Sequence, residues 1–154
     1  MPTVSCGFDD APPGVSGCDL LTALGPTVLV DIGFDPNFVP GSGVFPNLAV
    51  KGLPALVDTG AGESCIDNIL AAQLSLSVID RRLISGVHGA KLTNMYLAQV
   101  HIPALPFTIW GAFAGVDLIA GGSPHRALIG RTFLARFTMV YSGITGKVTI
   151  TSNP

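Results

Sequence analysis

One acidic residue in this sequence stands in a setting that suits acid–base chemistry. Asp58 follows the apolar residues Leu56 and Val57 and precedes Thr59 and Gly60. A strand that buries the apolar pair would deliver the Asp58 carboxyl at its end, in a partly desolvated place, and the glycine would let the backbone turn sharply beside it. The Thr59 hydroxyl can bond the loop to a rigid neighbour. The segment therefore predicts a carboxyl group that is held in a fixed position.

A single carboxyl group of this kind is a poor catalyst of peptide hydrolysis. Two carboxyl groups side by side cannot both ionise, so one keeps its proton and the pair acts as acid and base together. Such a pair activates a water molecule for attack on a carbonyl group and then protonates the leaving amine. No other acid in the chain has the same apolar-acid-Thr-Gly setting. The second carboxyl is therefore predicted to be Asp58 of another copy, across the twofold axis of a homodimer.

Two further segments accompany this motif. Residues 127–130 form an apolar run that ends in a glycine, and a short helix is predicted to follow in residues 131–134. We call the Asp58 motif the first signature and residues 127–134 the second signature. Between the two signatures lies a predicted hairpin whose tip, the flap, is Gly86, Val87, His88 and Gly89. The order and spacing of these features resemble the retropepsins, the retroviral aspartic protease family and its bacterial relatives. The resemblance covers about residues 27–151.

The resemblance implies a homodimeric aspartic endopeptidase of the bacterial type, acting on extended peptide substrates. Asp58 would be the catalytic acid and base, Thr59 would bond across the twofold axis, and Gly60 and Ala61 would line the cleft. The flap would close over the peptide and supply backbone hydrogen bonds, as an added strand does. No metal or cofactor is implied. A structural role is implied for three residues of the second signature, Ile129, Gly130 and Arg131.

The sequence departs from the family pattern close to the first motif. Retroviral members have an acid directly after the alanine, where this chain has Gly62 and then Glu63. Because that acid pairs with the arginine of the second signature, Arg131 is left to pair with Glu63 or with another group. The flap also differs, since its centre holds His88 and it has fewer glycines than viral flaps.

Other functions are compatible with the same residues. The Asp-Thr-Gly tripeptide could simply be a turn, because all three residue types favour turns. The same fold could also serve as a catalytically silent module that binds peptides. A cysteine hydrolase would need Cys65 as its nucleophile with His88 or His101, although apolar surroundings are more typical of a buried structural cysteine.

Composition limits the classes of function that fit the chain. The 154 residues carry a formal net charge of −2 with eight scattered basic residues, which argues against binding to nucleic acid. Only 12% of residues are charged, against about 25% in a typical soluble domain, so a subunit interface or an apolar cleft is expected. The most apolar stretch, residues 102–114, holds two prolines and is shorter than the ~20 residues of a membrane-spanning helix. With no secretory signal and three cysteines without metal-ligand spacing, the chain is predicted to be cytoplasmic with reduced thiols.

The predicted fold is all-β, a closed barrel of the retropepsin type with one or two short helices. Residues 1–25 are rich in Gly, Pro and Asp and predict an irregular N-terminal arm, followed by a single domain over residues 26–154. Strands spaced by about 8–12 residues with Gly and Pro between them indicate the barrel. Asp67 is predicted to cap one helix, and the dipeptide Lys51-Gly52 is predicted to form a hairpin turn.

Overall fold

Ten strands and three short helices make up the chain, and the computed structural model describes all of residues 1–154. The strands are β1 (Thr3–Ser5), β2 (Thr27–Gly33), β3 (Val50–Val57), β4 (Cys65–Asp67), β5 (Val78–Gly86), β6 (Gly89–Ile102), β7 (Phe107–Val116), β8 (Ala127–Ile129), β9 (Phe137–Ser142) and β10 (Lys147–Ser152). The helices are α1 (Gly17–Leu24), α2 (Asn68–Gln73) and α3 (Arg131–Leu134). The prediction of a mainly β fold is confirmed, with one helix more than expected.

Six of the strands form a closed ring around the core. The larger sheet has the order β2-β3-β8-β4-β7-β6-β5, and an additional pairing between β2 and β6 closes the ring and leaves β5 outside it. Closure removes the free sheet edges that an open sheet would expose. The ring corresponds to the closed barrel that the sequence predicts. Its interior is filled by aliphatic side chains that are fully or almost fully buried, among them Val30, Ile32, Ile66, Val100 and Ile129.

The predicted turn at Lys51-Gly52 is wrong, because β3 runs through both residues. Gly52 has a φ of 70°, a conformation that glycine adopts readily. Its amide donates to the Asp31 carboxylate at 3.0 Å, next to an irregularity in the register of β2 with β3. The glycine therefore marks a local bulge within a continuous strand pair, and not the end of a hairpin.

Residues 1–25, for which the sequence predicts an irregular arm, contain a strand and a helix. β1 pairs with β10, and these two strands form a separate three-stranded sheet with β9. Ser16 caps α1 by accepting the Asp19 amide at 3.2 Å, and the Leu21 side chain on the inner face of the helix is buried. A Cβ on Gly17 would lie 2.4 Å from the Phe8 carbonyl oxygen, so this helix start is closely packed. Tertiary packing stabilises elements for which the composition gives no local signal.

The capping role predicted for Asp67 is confirmed. The side chain is fully buried, and one carboxylate oxygen accepts the Leu70 amide of α2 at 3.0 Å. The other oxygen accepts the amides of Leu118 and Ile119, each at 2.8 Å. Three backbone donors compensate the burial of this carboxylate. Asp67 therefore fixes the start of α2 to the loop that follows β7.

A second buried polar residue, His101, lies where β6 meets the long loop between β2 and β3. Its ring nitrogen Nδ1 is 2.9 Å from the Thr108 hydroxyl, and its ring centroid is 4.7 Å from that of Phe45. Burial lowers the pKa of His101 below its usual range, although the nearby negative charge of Asp31 opposes this shift. The folded state therefore holds this imidazole in the neutral form over a wider pH range than the unfolded chain does.

We expect the free energy of unfolding to decrease as the pH falls through about 6.5, the ordinary His value. Below that value the unfolded chain takes up a proton that the folded chain resists, so proton uptake favours unfolding. Urea unfolding between pH 8 and pH 5, at fixed protein concentration, should give a smaller pH dependence for His101→Gln than for the original chain. His88→Gln, at an exposed flap position, is the control and should keep the original slope. Equal slopes for His101→Gln and the original chain would contradict this account.

Candidate active site

Asp58 lies at the end of β3, in the position that the sequence predicts. β3 pairs in parallel with β8, so that Val57 stands opposite Ile129, and both side chains are buried. The ladder continues one residue further, because the Asp58 amide donates to the Ile129 carbonyl at 2.9 Å. Asp58 itself is half-buried. A rigid parallel strand pair therefore delivers this carboxyl group to the surface.

The Asp58 carboxyl is oriented by the loop that follows it. Its Oδ1 atom accepts the Gly60 amide at 2.8 Å. The main-chain carbonyl of Asp58 accepts the Ala61 amide at 3.2 Å. A Cβ on Gly60 would lie 3.0 Å from Oδ1, so glycine allows this close approach. The carboxyl makes no other hydrogen bond and no ion pair within the chain, which leaves Oδ2 open to another group.

The second signature holds this loop from the other side. The Arg131 and Thr132 amides at the start of α3 donate to the carbonyls of Ala61 and Gly62 at 2.9 and 3.0 Å. The Arg131 guanidinium donates from Nη1 to the Thr59 carbonyl at 2.8 Å. The sequence left open whether Arg131 pairs with Glu63 or with another group. In the structure its partner is the main-chain carbonyl of Thr59, and Glu63 forms no ion pair. Arg131 thus holds the Asp58 loop directly.

Gly130 lies in contact with the backbone of the same loop. A Cβ at this position would stand 2.6 Å from both the carbonyl carbon and the carbonyl oxygen of Glu63. The Gly130 amide donates to the buried Ser64 hydroxyl at 3.1 Å. Sequence reasoning missed Ser64, because a lone serine after a turn carries no periodic or motif signal. Together these contacts join the two signatures into one rigid unit.

The predicted flap is the tip of a long exposed hairpin. β5 and β6 pair antiparallel up to Gly86 opposite Gly89, and Val87 at the tip is 99% exposed. Beneath the tip is a cavity of about 270 Å³. The flap residues line this cavity together with residues of β4, β6 and β7 and of the loop that follows β7, including Cys65, Lys91, Ala114, Val116 and Asp117. The structure thus places the flap over Cys65 and β7, and Asp58 is not among the lining residues.

Cys65 lies between the Asp58 loop and the flap cavity. Burial raises the pKa of the Cys65 thiol to about 11, and the negative charges of Asp58 and Glu63 add to this shift. The thiol is 3.5 Å from the Glu63 carbonyl oxygen and makes no hydrogen bond to a histidine. A protonated, buried thiol without a base does not suit the cysteine hydrolase alternative.

A larger cavity, of about 470 Å³, also borders the Asp58 loop, at Glu63 and Ser64. It is lined by Glu63 and Ser64, by α3 and by β7, but not by Asp58. Trp110 on its wall is 58% exposed, whereas Phe113 is buried.

No group of three or more His, Cys, Asp or Glu side chains is arranged to hold a metal ion. Cys6, Cys18 and Cys65 are all free thiols. None of the three helices has the length and apolar character needed to cross a membrane.

Solved structures that are similar to this chain include two proteases. EIAV protease in complex with the inhibitor HBY-793 is 20% identical, with a TM-score of 0.45, over 71% of this chain and 85% of that one. A retropepsin-like aspartic protease from Rickettsia conorii is 12% identical, with a TM-score of 0.46, over 96% of this chain and 90% of that one. No protein-family model matches the chain, and no curated protein sequence matches it.

Replacing Gly130 by alanine should destabilise the protein by about 1–3 kcal/mol, because the new methyl group would overlap the Glu63 backbone. Gly62→Ala is the matched control in the same loop, since a Cβ there meets only the Arg131 guanidinium at 3.7 Å. Its effect should stay within about 0.5 kcal/mol. Urea unfolding of the two variants measures both values, and a Gly130→Ala variant as stable as Gly62→Ala would refute the close approach.

Thiol titration should separate the three cysteines. Cys6, like Cys65, is buried with its pKa raised to about 11, whereas Cys18 is only half-buried. At pH 8 an aromatic disulfide reagent should therefore react readily with one thiol in the folded protein and with all three after unfolding. A folded Cys18→Ser variant should be nearly unreactive, and rapid modification of its Cys65 would show a thiol activated for chemistry.

Proposed function

We propose that this chain is an aspartic endopeptidase that works as a homodimer, with one Asp58 carboxyl from each subunit forming the catalytic pair. The observation that carries the proposal is the position of Asp58. Its carboxyl is fixed through Oδ1 by the Gly60 amide, while Oδ2 has no partner in the chain. This is the arrangement that a second carboxyl can approach so that one proton serves both groups.

The surroundings of Asp58 support pairing across a twofold axis. Thr59 is exposed, and its hydroxyl makes no hydrogen bond within the chain. No other acid forms a hydrogen bond to the Asp58 carboxyl in the single subunit. An isologous contact centred on this loop brings Asp58 to Asp58 and leaves each Thr59 hydroxyl facing the partner. A lone, oriented carboxyl then becomes half of an acid–base pair.

The three-stranded sheet offers a surface for the same dimer. β9 is an edge strand of this sheet, and its Val140 and Tyr141 side chains are 60% and 54% exposed. An exposed apolar edge is a ready site for pairing with another chain. β9 is also joined to the site, because the Phe137 ring is 4.3 Å from the Phe133 ring of α3. Contact between two β9 edges would therefore be transmitted to the helix that holds the Asp58 loop.

The flap supports an extended peptide as the substrate. A strand laid under the hairpin can bond to backbone groups of the flap, so affinity would come from the peptide backbone and preference from the side-chain pockets. The cavity under the flap is lined partly by small and apolar residues, among them Ile84, Cys65, Ala114 and Val116. Side chains of the substrate that enter it would be small or apolar.

In the proposed reaction, the ionised carboxyl takes a proton from a water molecule, and the water oxygen attacks the peptide carbonyl carbon. The other carboxyl holds the shared proton and donates to the carbonyl oxygen. When the tetrahedral intermediate collapses, the first carboxyl gives the proton that it took from water to the nitrogen, and the C–N bond breaks to release an amine. A hydroxyl of the intermediate returns its proton to the second carboxyl as the new carboxylic acid forms, which restores the starting pair. The Gly60 amide keeps one carboxylate oriented through both steps.

Asp58→Asn should lower the rate of peptide cleavage by at least ~10³-fold and leave the fold intact. The sharper test mixes subunits. When original and Asp58→Asn chains are refolded together in equal amounts, about a quarter of the dimers carry two intact carboxyls, so activity should fall to about a quarter. A site contained in one subunit would instead keep half of the activity, and that result would reject the shared pair.

Asp19→Asn is the matched control for this experiment. Asp19 is exposed on α1 and its carboxyl makes no hydrogen bond, so the variant should cleave a peptide library as the original chain does. If Asp58→Asn retains full activity, the aspartic assignment is wrong. If the original chain binds peptides under the flap and cleaves none of them, the protein is a binding module and the proposed chemistry is wrong.

A further inference from the structure

Four polar side chains form a hydrogen-bonded chain beside the flap cavity. The Asp117 carboxylate, in the loop after β7, is 3.1 Å from the Lys91 ammonium through Oδ2. Its Oδ1 atom accepts the Asn68 side-chain amide at 2.8 Å. The Asn68 carbonyl oxygen in turn accepts the Tyr96 hydroxyl at 2.8 Å. We call Tyr96, Asn68, Asp117 and Lys91 the latch.

The latch spans the place where the flap hairpin leaves the barrel. β6 pairs with β7 from Ile102 only as far as Met95 opposite Ala114. Lys91 lies beyond this point, where β6 is paired with β5 alone. The Lys91–Asp117 contact is the one side-chain hydrogen bond that joins residues 79–94 to the rest of the chain. It therefore links β6 to the loop after β7, beyond the point where β6 and β7 separate.

The barrel side of the latch is held rigidly. A Cβ on Gly115 would lie 2.1 Å from the Asn68 Oδ1 atom and 2.8 Å from the Tyr96 ring, so glycine provides the space in which these two side chains meet. The buried carboxylate of Asp67 caps α2 next to Asn68 and also binds the amides of Leu118 and Ile119, next to Asp117. Only Lys91 is carried by the projecting hairpin.

We propose that Asp117 is a positioning residue for the flap: it holds the hairpin over the cavity through Lys91, and the pair opens to admit a peptide. The role of the hairpin as a substrate flap rests on the proposed function, but the contact itself does not. The side chains of Lys91 and Asp117 are 74% and 51% exposed, so the pair is weak enough to open readily. Hydrogen bonds from Asn68 and Lys91 lower the pKa of Asp117, so the latch stays charged in mildly acidic solution.

Hydrogen–deuterium exchange of the full-length protein, without substrate, tests the proposal. Asp117→Asn and Lys91→Met should each speed amide exchange in residues 81–94 by about twofold to fivefold, the range expected for loss of an exposed ion pair. The free energy of global unfolding should remain unchanged. In 1 M salt, where the screening length is about 3 Å, exchange in the original chain should rise towards that of the variants.

Asp80→Asn is the matched control. Asp80 forms an ion pair with Arg82 at 3.0 Å and is 52% exposed, but both residues lie on β5, so this pair does not join the flap to the barrel. Apart from Arg81, whose amide donates to Asp80 Oδ1 at 2.8 Å, its loss should leave exchange at residues 82–94 unchanged. The double charge reversal Lys91→Glu with Asp117→Lys should restore slow exchange. Unchanged exchange in both single variants, or an equal increase in Asp80→Asn, would overturn the latch.

These outcomes are independent of proteolysis. A protein that cleaves no peptide and yet shows faster flap exchange in Asp117→Asn keeps the latch and loses the proposed function. A protein that cleaves peptides with flap exchange insensitive to Asp117 keeps the function and loses the latch. Each failure is therefore distinguishable from the other.

Discussion

The contact between two backbone segments underlies the whole site: the loop after β3 lies directly against Gly130, where β8 passes into α3. Because no side chain fits between Gly130 and the Glu63 carbonyl, the two segments approach closely enough for five hydrogen bonds to cross between them. Three of these bonds connect main-chain groups, one comes from the Arg131 guanidinium, and one joins the Gly130 amide to the Ser64 hydroxyl. Main-chain contacts of this kind fix a carboxyl group within a small range of positions, as acid–base catalysis requires.

In the proposed homodimer, the same rigidity would allow a single acid per chain to be sufficient. A carboxyl whose orientation is set by its own subunit needs only a symmetric partner to complete it, because a twofold axis reproduces its geometry without further design. The low charge content of the chain and the exposed apolar edge of β9 suit such an association. The flap hairpin, by contrast, is joined to the barrel through the exposed Lys91–Asp117 pair, and the proposed latch would allow the hairpin to move while the Asp58 loop stays fixed.

Sequence reasoning predicts the parts of this fold that depend on local patterns. The strand before Asp58, the Asp67 cap and the flap hairpin follow from periodicity, capping and glycine placement, and the structure has all three. It fails where the cause is tertiary. β1 and α1 depend on packing against β10, and Gly52 reads as a turn although it marks a bulge in a continuous strand.

The residues of the candidate site divide in the same way. The Asp58 motif can be recognised because its members are adjacent in the chain, and the second signature because it repeats a known pattern. Ser64 and the true partner of Arg131 depend on how two distant loops meet, so no local signal reveals them. The latch joins residues 68, 91, 96 and 117, which only the completed barrel brings together.

The most direct measurement is a crystal structure of the protein with a non-cleavable peptide analogue bound. A lone carboxyl per subunit is useful only if symmetry brings its copy to it. We therefore expect a twofold dimer in which the two Asp58 carboxyls lie about 3 Å apart beneath the ligand. Asp58 carboxyls that stay far apart in every assembly of the crystal, with the analogue bound elsewhere, would contradict the account.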